Sequence, residues 1–368
     1  MTDTALDIFL VATPGLEAPL AEEARQAGFA EAKIVDGGVS LAGGWPDVWR
    51  ANLVLRGATR VLVRFASFRA MHLAQLDKRA RKVDWSHVLR RNVPVHVEAS
   101  CRRSRIYHAG AAAQRVATAI TQEFGAPIDE AAPLRIMVRI EDDLVTLSLD
   151  STGESLHKRG FKEAVSKAPM RETMAAMFLR QCGYTGTEPV LDPMCGSGTF
   201  VIEAAEIAAG LHPGRERSFA FEHLPSFKAR DWLALRAQPP QPLSSALFHG
   251  SDRDAGAIRM ASENAARAGV APSTRFSVQA IEDLQPPEGQ AGLVIVNPPY
   301  GTRIGNKAPL MALHRMLGTV LKTRFPGWRV GIVTADKALA QATGLRFDPP
   351  LPPVLHGGIR VALYRAQL

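Results

Sequence analysis

The sequence predicts two architectures in tandem: an α+β region with a mainly antiparallel sheet, then an open α/β domain on a parallel sheet. Three observations predict this. Short alternating strands and glycine-closed helices fill roughly the first 150 residues, and regular strand–helix alternation follows. Two strands of the second half end abruptly, in "DPMCGSGTF" and "NPPYG". With 368 residues there is length for two or three domains.

Taken in order, "LDIFLVAT" alternates as a strand and "GLEAPLAEEARQAG" has helical spacing ending at glycine. "RVLVRFASF" and "VPVHVEAS" are further strands, and "AGAAAQRVATAITQEFG" is a helix closed by Gly125. "LRIMVRIEDDLVTLSLD" reads as a hairpin around Glu141, Asp142 and Asp143. "STGESLHKRGFKEAVSKAP" is polar and basic and reads as a linker, with a domain boundary near Gly153 to Phe161. Beyond it "EPVLDP", "LFHGSD", "TRFSVQA", "AGLVIVN" and "WRVGIVTA" read as strands. Helical segments follow three of them, so the repeated βα units imply a parallel, Rossmann-like sheet. The closing "GLRFDPPLPPVLHGGIRVALYRA" reads as two strands on an antiparallel edge.

Composition excludes several classes. The acids Asp3, Asp7 and Glu17 and the lack of a basic n-region argue against a secretory leader. Eighteen apolar residues never run uninterrupted, so no membrane span is expected. Cys101, Cys182 and Cys195 are odd in number and far apart, which argues against a disulfide framework or a zinc site and for a cytoplasmic location. His87, His96 and His108 lack metal-ligand spacing and read as surface or packing residues. No obligate protein partner is evident. Net charge is +8, and from Arg50 to Arg115 fifteen Lys/Arg face three acids. That local excess suits a polyanion, with nucleic acid favoured over membrane; Arg102, Arg103 and Arg105 are candidate phosphate contacts.

In "VLDPMCGSGTF" Asp192 ends a strand, and Gly196 and Gly198 allow close approach of a ligand. The dinucleotide fingerprint needs a third glycine where Val201 stands, and the P-loop Gly-Lys pair is absent, so no phosphate cradle is supported. Asp252 ends the next strand, where ribose hydroxyls are bound; Asp254 beside it serves equally well as a helix N-cap. A glycine turn plus a ribose acid without phosphate chemistry points to S-adenosylmethionine. Asn297 ends a further strand at the same edge. Its side-chain oxygen and the carbonyl of Pro298 can accept both N–H bonds of an exocyclic amine, on a corner stiffened by two prolines. Tyr300 offers a face on which an unpaired base stacks. Cys195 reads as a small side chain in the turn rather than a nucleophile.

The ordered set "LHKRGF", "APMRETMAA", "LDPMCGSGTFVIEAA", "GSDRD" and "NPPYGTRIG" resembles the THUMP-domain class I S-adenosylmethionine-dependent RNA methyltransferases, most of all bacterial enzymes that methylate the 2-amino group of a guanine in large-subunit ribosomal RNA. "NLVLRGATRVLVRF", "DWSHVL" and "VEASCRRSRIYHAGAAAQRV" resemble that family's N-terminal region. The resemblance implies a class I methyltransferase domain over 156–368, with 156–165 as linker, after a ferredoxin-like subdomain over 1–65 and a THUMP RNA-binding domain over 66–155. It implies cofactor binding by Asp192, Met194, Gly196, Gly198, Asp252 and Asn297, and by Lys167, Ala168 and Met170 in an "APL"-like loop. Asn297, Pro298 and Tyr300 fall in the target-base motif. Ala280 stands where the family often has an acid for the adenine amine, so Glu282 or Asp283 is expected to take that role. Transfer RNA, and an adenine amine of DNA, are the alternative substrates.

Overall fold

The computed structural model describes residues 5–163, 170–237, 248–300 and 307–368. The chain divides into two compact units. One comprises Met1–Ala12, Ala21–Leu156 and Arg217–Gln238; the other comprises Thr13–Leu20, His157–Glu216 and Pro239–Leu368.

The first half of the chain runs β1 (Leu6–Val11), α1 (Glu17–Gln26), β2 (Lys33–Val35), β3 (Gly38–Gly43), α2 (Trp45–Val54), β4 (Arg60–Arg69), α3 (Leu73–Ala80), β5 (Val95–Arg102), α4 (Ala109–Ala119), β6 (Leu134–Glu141) and β7 (Leu144–Asp150). The strands form one seven-stranded sheet in the order β2-β3-β1-β4-β7-β6-β5. Every pairing in it is antiparallel except β5 with β6. β6 alternates buried and half-exposed residues along its whole length, as a strand with one covered face does. The expected hairpin joins β6 to β7 through Asp142 and Asp143, both left-handed (φ 50° and 61°), the conformation a two-residue turn between twisted strands requires.

The second half runs α5 (Glu172–Gln181), β8 (Val190–Asp192), α6 (Thr199–Ala208), α7 (Ala229–Arg236), β9 (Phe248–Asp252), α8 (Ala255–Arg267), β10 (Thr274–Val278), β11 (Leu293–Val296), α9 (Lys307–Arg324), β12 (Arg329–Thr334), α10 (Lys337–Ala342), β13 (Val354–His356) and β14 (Ile359–Gln367). Its sheet has the order β10-β9-β8-β11-β12-β14-β13. The first five strands pair in parallel, while β14 pairs antiparallel with both neighbours, as the closing strand pair predicts. All four residues of β11 are buried, and Val294 and Val296 join Leu317, Leu321, Phe325 and Trp328 in a core under α9. Chain order reverses between β8 and β11, so a crevice is expected beyond their carboxyl ends.

Two features depart from the sequence reading. Residues 156–163 are not a solvated tether, since Leu156, Arg159 and Phe161 are buried. Arg159 Nε donates to Glu203 Oε1 at 3.0 Å, and both side chains are 1% exposed. A basic residue in a polar stretch reads as surface because its buried carboxylate partner lies 44 positions away. In addition, α7 belongs to the first unit, where Phe219, Phe221, Phe227 and Trp232 cluster with Trp49.

Candidate active site at the strand tips

Three adjacent strands, β9, β8 and β11, end in Asp252, Asp192 and, one residue beyond the strand, Asn297. Asp192 is opposite Gly250 in the ladder and is 2% exposed. Its Oδ1 accepts the Met194 N–H at 3.1 Å. Asp252 lies two residues past Gly250; its Oδ2 accepts the Gly196 N–H at 3.1 Å and its Oδ1 the Asp254 N–H at 3.0 Å. The glycine turn is thereby tied to the acid expected at the ribose. Asp254 Oδ1 accepts the Gly256 N–H at 2.7 Å and caps α8, the alternative role weighed for it.

Local packing explains the small residues. Gly198 has φ +83° at the start of α6, and a Cβ there would stand 3.1 Å from Ala261. At Gly250, a position the motif reading passed over, a Cβ would come within 2.6 Å of the Phe276 ring. The "HGSD" glycine carries a legible signal, because a glycine inside a strand marks close approach by a neighbour. Cys195 is buried in this turn, and burial holds its thiol far above the ordinary range, consistent with a packing role.

Asn297 carries the most informative atom. Its Oδ1 is buried and has no hydrogen-bond partner among the described residues. An unmet buried acceptor costs about 1–3 kcal/mol unless a ligand or a water completes it, so this one is open to a donor from a bound molecule. Pro298 is buried, Pro299 exposed and Tyr300 half-buried.

The remaining expected residues are less closely gathered. Met170 is 5% exposed, and Met194 packs partly buried on the core under α9. Lys167 and Ala168 lie outside the described residues. Glu282 and Asp283 are exposed in a short 3-10 turn. Their carbonyls are held, by Arg324 Nη1 at 2.6 Å and Gln279 Nε2 at 2.9 Å, so it is the backbone of this turn that is fixed.

The donor set can be tested against an adenosyl sulfonium ligand. Asp192, Asp252 and Asn297 Oδ1 all offer acceptors, which suits ribose hydroxyls and a cationic ligand and not phosphate. Burial, opposed by the Met194 N–H and reinforced by nearby Asp252, pushes the Asp192 carboxyl up to about 8. A raised acid favours the protonated fold. Its contribution to stability is complete below the ordinary carboxylate value and is lost as pH rises toward about 8. A cationic ligand reverses that preference. S-adenosylmethionine binding near pH 7 is therefore expected to release up to about one proton and to tighten as pH approaches 8. Calorimetry in buffers of different protonation heat checks this; Asp192→Asn should abolish both effects, and a flat pH profile in the unaltered chain would contradict it.

The fold and strand-tip site define a class I methyltransferase, and the comparisons agree. Residues 159–349 match the family described as UPF0020, the RMKL-like methyltransferase domain, and residues 7–62 match the RlmL ferredoxin-like domain. The chain belongs to the UPF0020 family of S-adenosylmethionine-dependent methyltransferases. It is 36% identical over 94% of its length to the "Ribosomal RNA large subunit methyltransferase K/L" of Syntrophotalea carbinolica, and spans 51% of that protein. It is 32% identical to a Synechocystis sp. protein provisionally named an RNA methyltransferase, covering 99% of this chain and 97% of that one. A crystal structure provisionally described as a methyltransferase in complex with SAH superposes with a TM-score of 0.91 at 26% identity, covering 99% of this chain and 98% of that one. Among the described residues no helix is long and apolar enough to cross a membrane.

Proposed function

We propose that this chain transfers the methyl group of S-adenosylmethionine to the exocyclic 2-amino group of a guanine in structured RNA, with large-subunit ribosomal RNA as the foremost substrate. One observation carries the reading: the buried, unpartnered Oδ1 of Asn297 at the tip of β11. An aryl amine is a poor nucleophile because its lone pair is conjugated into the ring. Asn297 Oδ1 and the Pro298 carbonyl accept its two N–H bonds and favour a pyramidal nitrogen, an interaction that strengthens in the transition state. Tyr300 stacks the base, which must be unpaired to reach the corner. When bound, the cofactor supplies an electrophilic methyl on a good leaving group, so orientation supplies much of the rate. Asp192, Asp252 and the Gly196–Gly198 turn hold it.

The RNA reading draws on the names of the relatives and on the basic stretch of the first unit. We assign 1–65 as the ferredoxin-like subdomain, 66–155 as the THUMP domain that grips RNA, and 156–368, apart from the segment 217–238 that belongs to the first unit, as the methyltransferase domain. The arginines expected to touch phosphate are already paired. Arg103 donates to Glu141 and Asp142 at 2.8 and 3.0 Å, while Arg102 and Arg105, 65% and 71% exposed, lie 3.7 and 3.8 Å from Glu141 and Asp143. Exposed pairs of this kind are weak and salt-screened, so phosphate competes for the guanidinium groups. Arg102→Glu with Arg105→Glu is expected to weaken RNA binding and to flatten its salt dependence by about 1–2 in logarithmic slope. An unchanged slope would remove these arginines from the interface.

The activity is tested by incubating the protein and methyl-labelled cofactor with ribosomal RNA, transfer RNA or DNA, then digesting to nucleosides. Label in 2-methylguanosine of ribosomal RNA is expected; label confined to DNA adenine would overturn the reading.

A further inference from the structure

The Tyr300 hydroxyl lies 3.4 Å from Nδ1 of His356, 56 residues further on. The two residues are held differently. His356 ends β13 and pairs with Ile359 across the Gly357–Gly358 turn, whose residues are both left-handed. β14 is bonded in turn to β12 over six positions, and Val354 is 1% exposed, so the hairpin is fixed in the sheet. Tyr300 lies past the end of β11, outside any regular element. Of the pair, His356 is the better anchored and the tyrosine is the dependent member.

We propose that His356 is a positioning residue that sets the tilt of the Tyr300 ring, and so the plane in which the target base stacks before methyl transfer. The proposal rests on the reading of Tyr300 as the stacking face. Burial keeps the Tyr300 phenol above its ordinary value, so it remains an O–H, which donates to Nδ1 in the tautomer that carries the ring proton on Nε2. At 3.4 Å the bond is at the long end of the range. A hydrogen bond at the far end of the phenol holds the direction of the ring's long axis, and because the phenolic O–H prefers the ring plane it also biases rotation about that axis. No motif near the strand tips signals this partner, because it is delivered by the terminal hairpin.

The test has a spectroscopic arm and a kinetic arm, both on the full chain. The protein has four tyrosines, Tyr107, Tyr184, Tyr300 and Tyr364, so carbon-13 labelling at tyrosine Cζ gives four signals, and Tyr300→Phe identifies one of them. His356→Ala is expected to move that signal and His356→Asn, which keeps a side-chain acceptor, to restore most of its position. With transcribed 23S ribosomal RNA, His356→Ala is expected to raise KM about 3–10-fold with a smaller change in kcat, with calorimetric affinity for S-adenosylmethionine unchanged. In the Tyr300→Phe background the same substitution should have no further effect, because the hydroxyl it acts through is gone. A Tyr300 signal that ignores His356→Ala overturns the proposal. So does a signal that moves while KM and kcat stay at their unaltered values. The stacking reading fails separately, if Tyr300→Ala transfers methyl as fast as the unaltered chain.

Discussion

Asn297→Ala is expected to lower turnover by at least about 10²-fold while leaving affinity for S-adenosylmethionine nearly unchanged. In the proposed mechanism the substitution removes one of the two acceptors for the reacting amine. The buried Oδ1 has no described partner in the free protein, so its loss leaves no donor of the protein stranded, and the fold should not suffer. If the acceptor acts mainly on the transition state, kcat and kcat/KM fall together; if it merely binds the base, KM rises alone. Asn297→Asp separates these further. It keeps an acceptor in place but adds a negative charge beyond the tip of β11, and is expected to recover only part of the rate. An Asn297→Ala chain as active as the unaltered one would end the proposed mechanism.

The second large effect concerns stability. Arg159→Met leaves Glu203 buried without its guanidinium partner, and a loss of about 3–5 kcal/mol is expected in urea unfolding. Replacing both residues by methionine should recover much of that loss, since removing one partner of a buried ion pair is more damaging than removing both. A loss below about 1 kcal/mol for Arg159→Met would show that Glu203 takes up a proton cheaply or finds another donor. Lys162 sits close by in the chain and bonds Glu172 Oε1 and Thr199 Oγ1 at 2.9 and 2.8 Å. The basic residues of this stretch thus brace α5 and α6, and their charge is spent inside the unit.

These residues mark where sequence reasoning stops. The strand tips were legible because each motif is contiguous: a strand pattern breaks into glycine or proline, and the residue at the break is polar. Asp192, Asp252 and Asn297 needed only the additional rule that parallel strands present their carboxyl ends to one crevice. The hairpin at Asp142–Asp143 and the antiparallel closing strands were legible for the same local reason. Arg159, His356 and Phe227 were not, since what each does depends on a partner 44 to 178 positions away. Charge density meets the same limit. The excess from Arg50 to Arg115 is real, but Glu141, Asp142 and Asp143, which answer three of its arginines, lie outside that window and arrive by sheet pairing.

The return of residues 217–238 to the first unit bears on how the protein is made. Trp49 is 2% exposed, with Phe221 and Phe227 at centroid distances of 6.1 and 5.9 Å, and Trp232 meets Phe221 at 5.0 Å. During vectorial synthesis Trp49 leaves the ribosome long before any of these rings. The amino-terminal sheet must therefore wait, with an indole uncovered, until nearly two thirds of the polypeptide has been translated. Nascent chains halted before that point would display an adhesive surface to chaperones, and the two halves cannot mature as strictly successive modules.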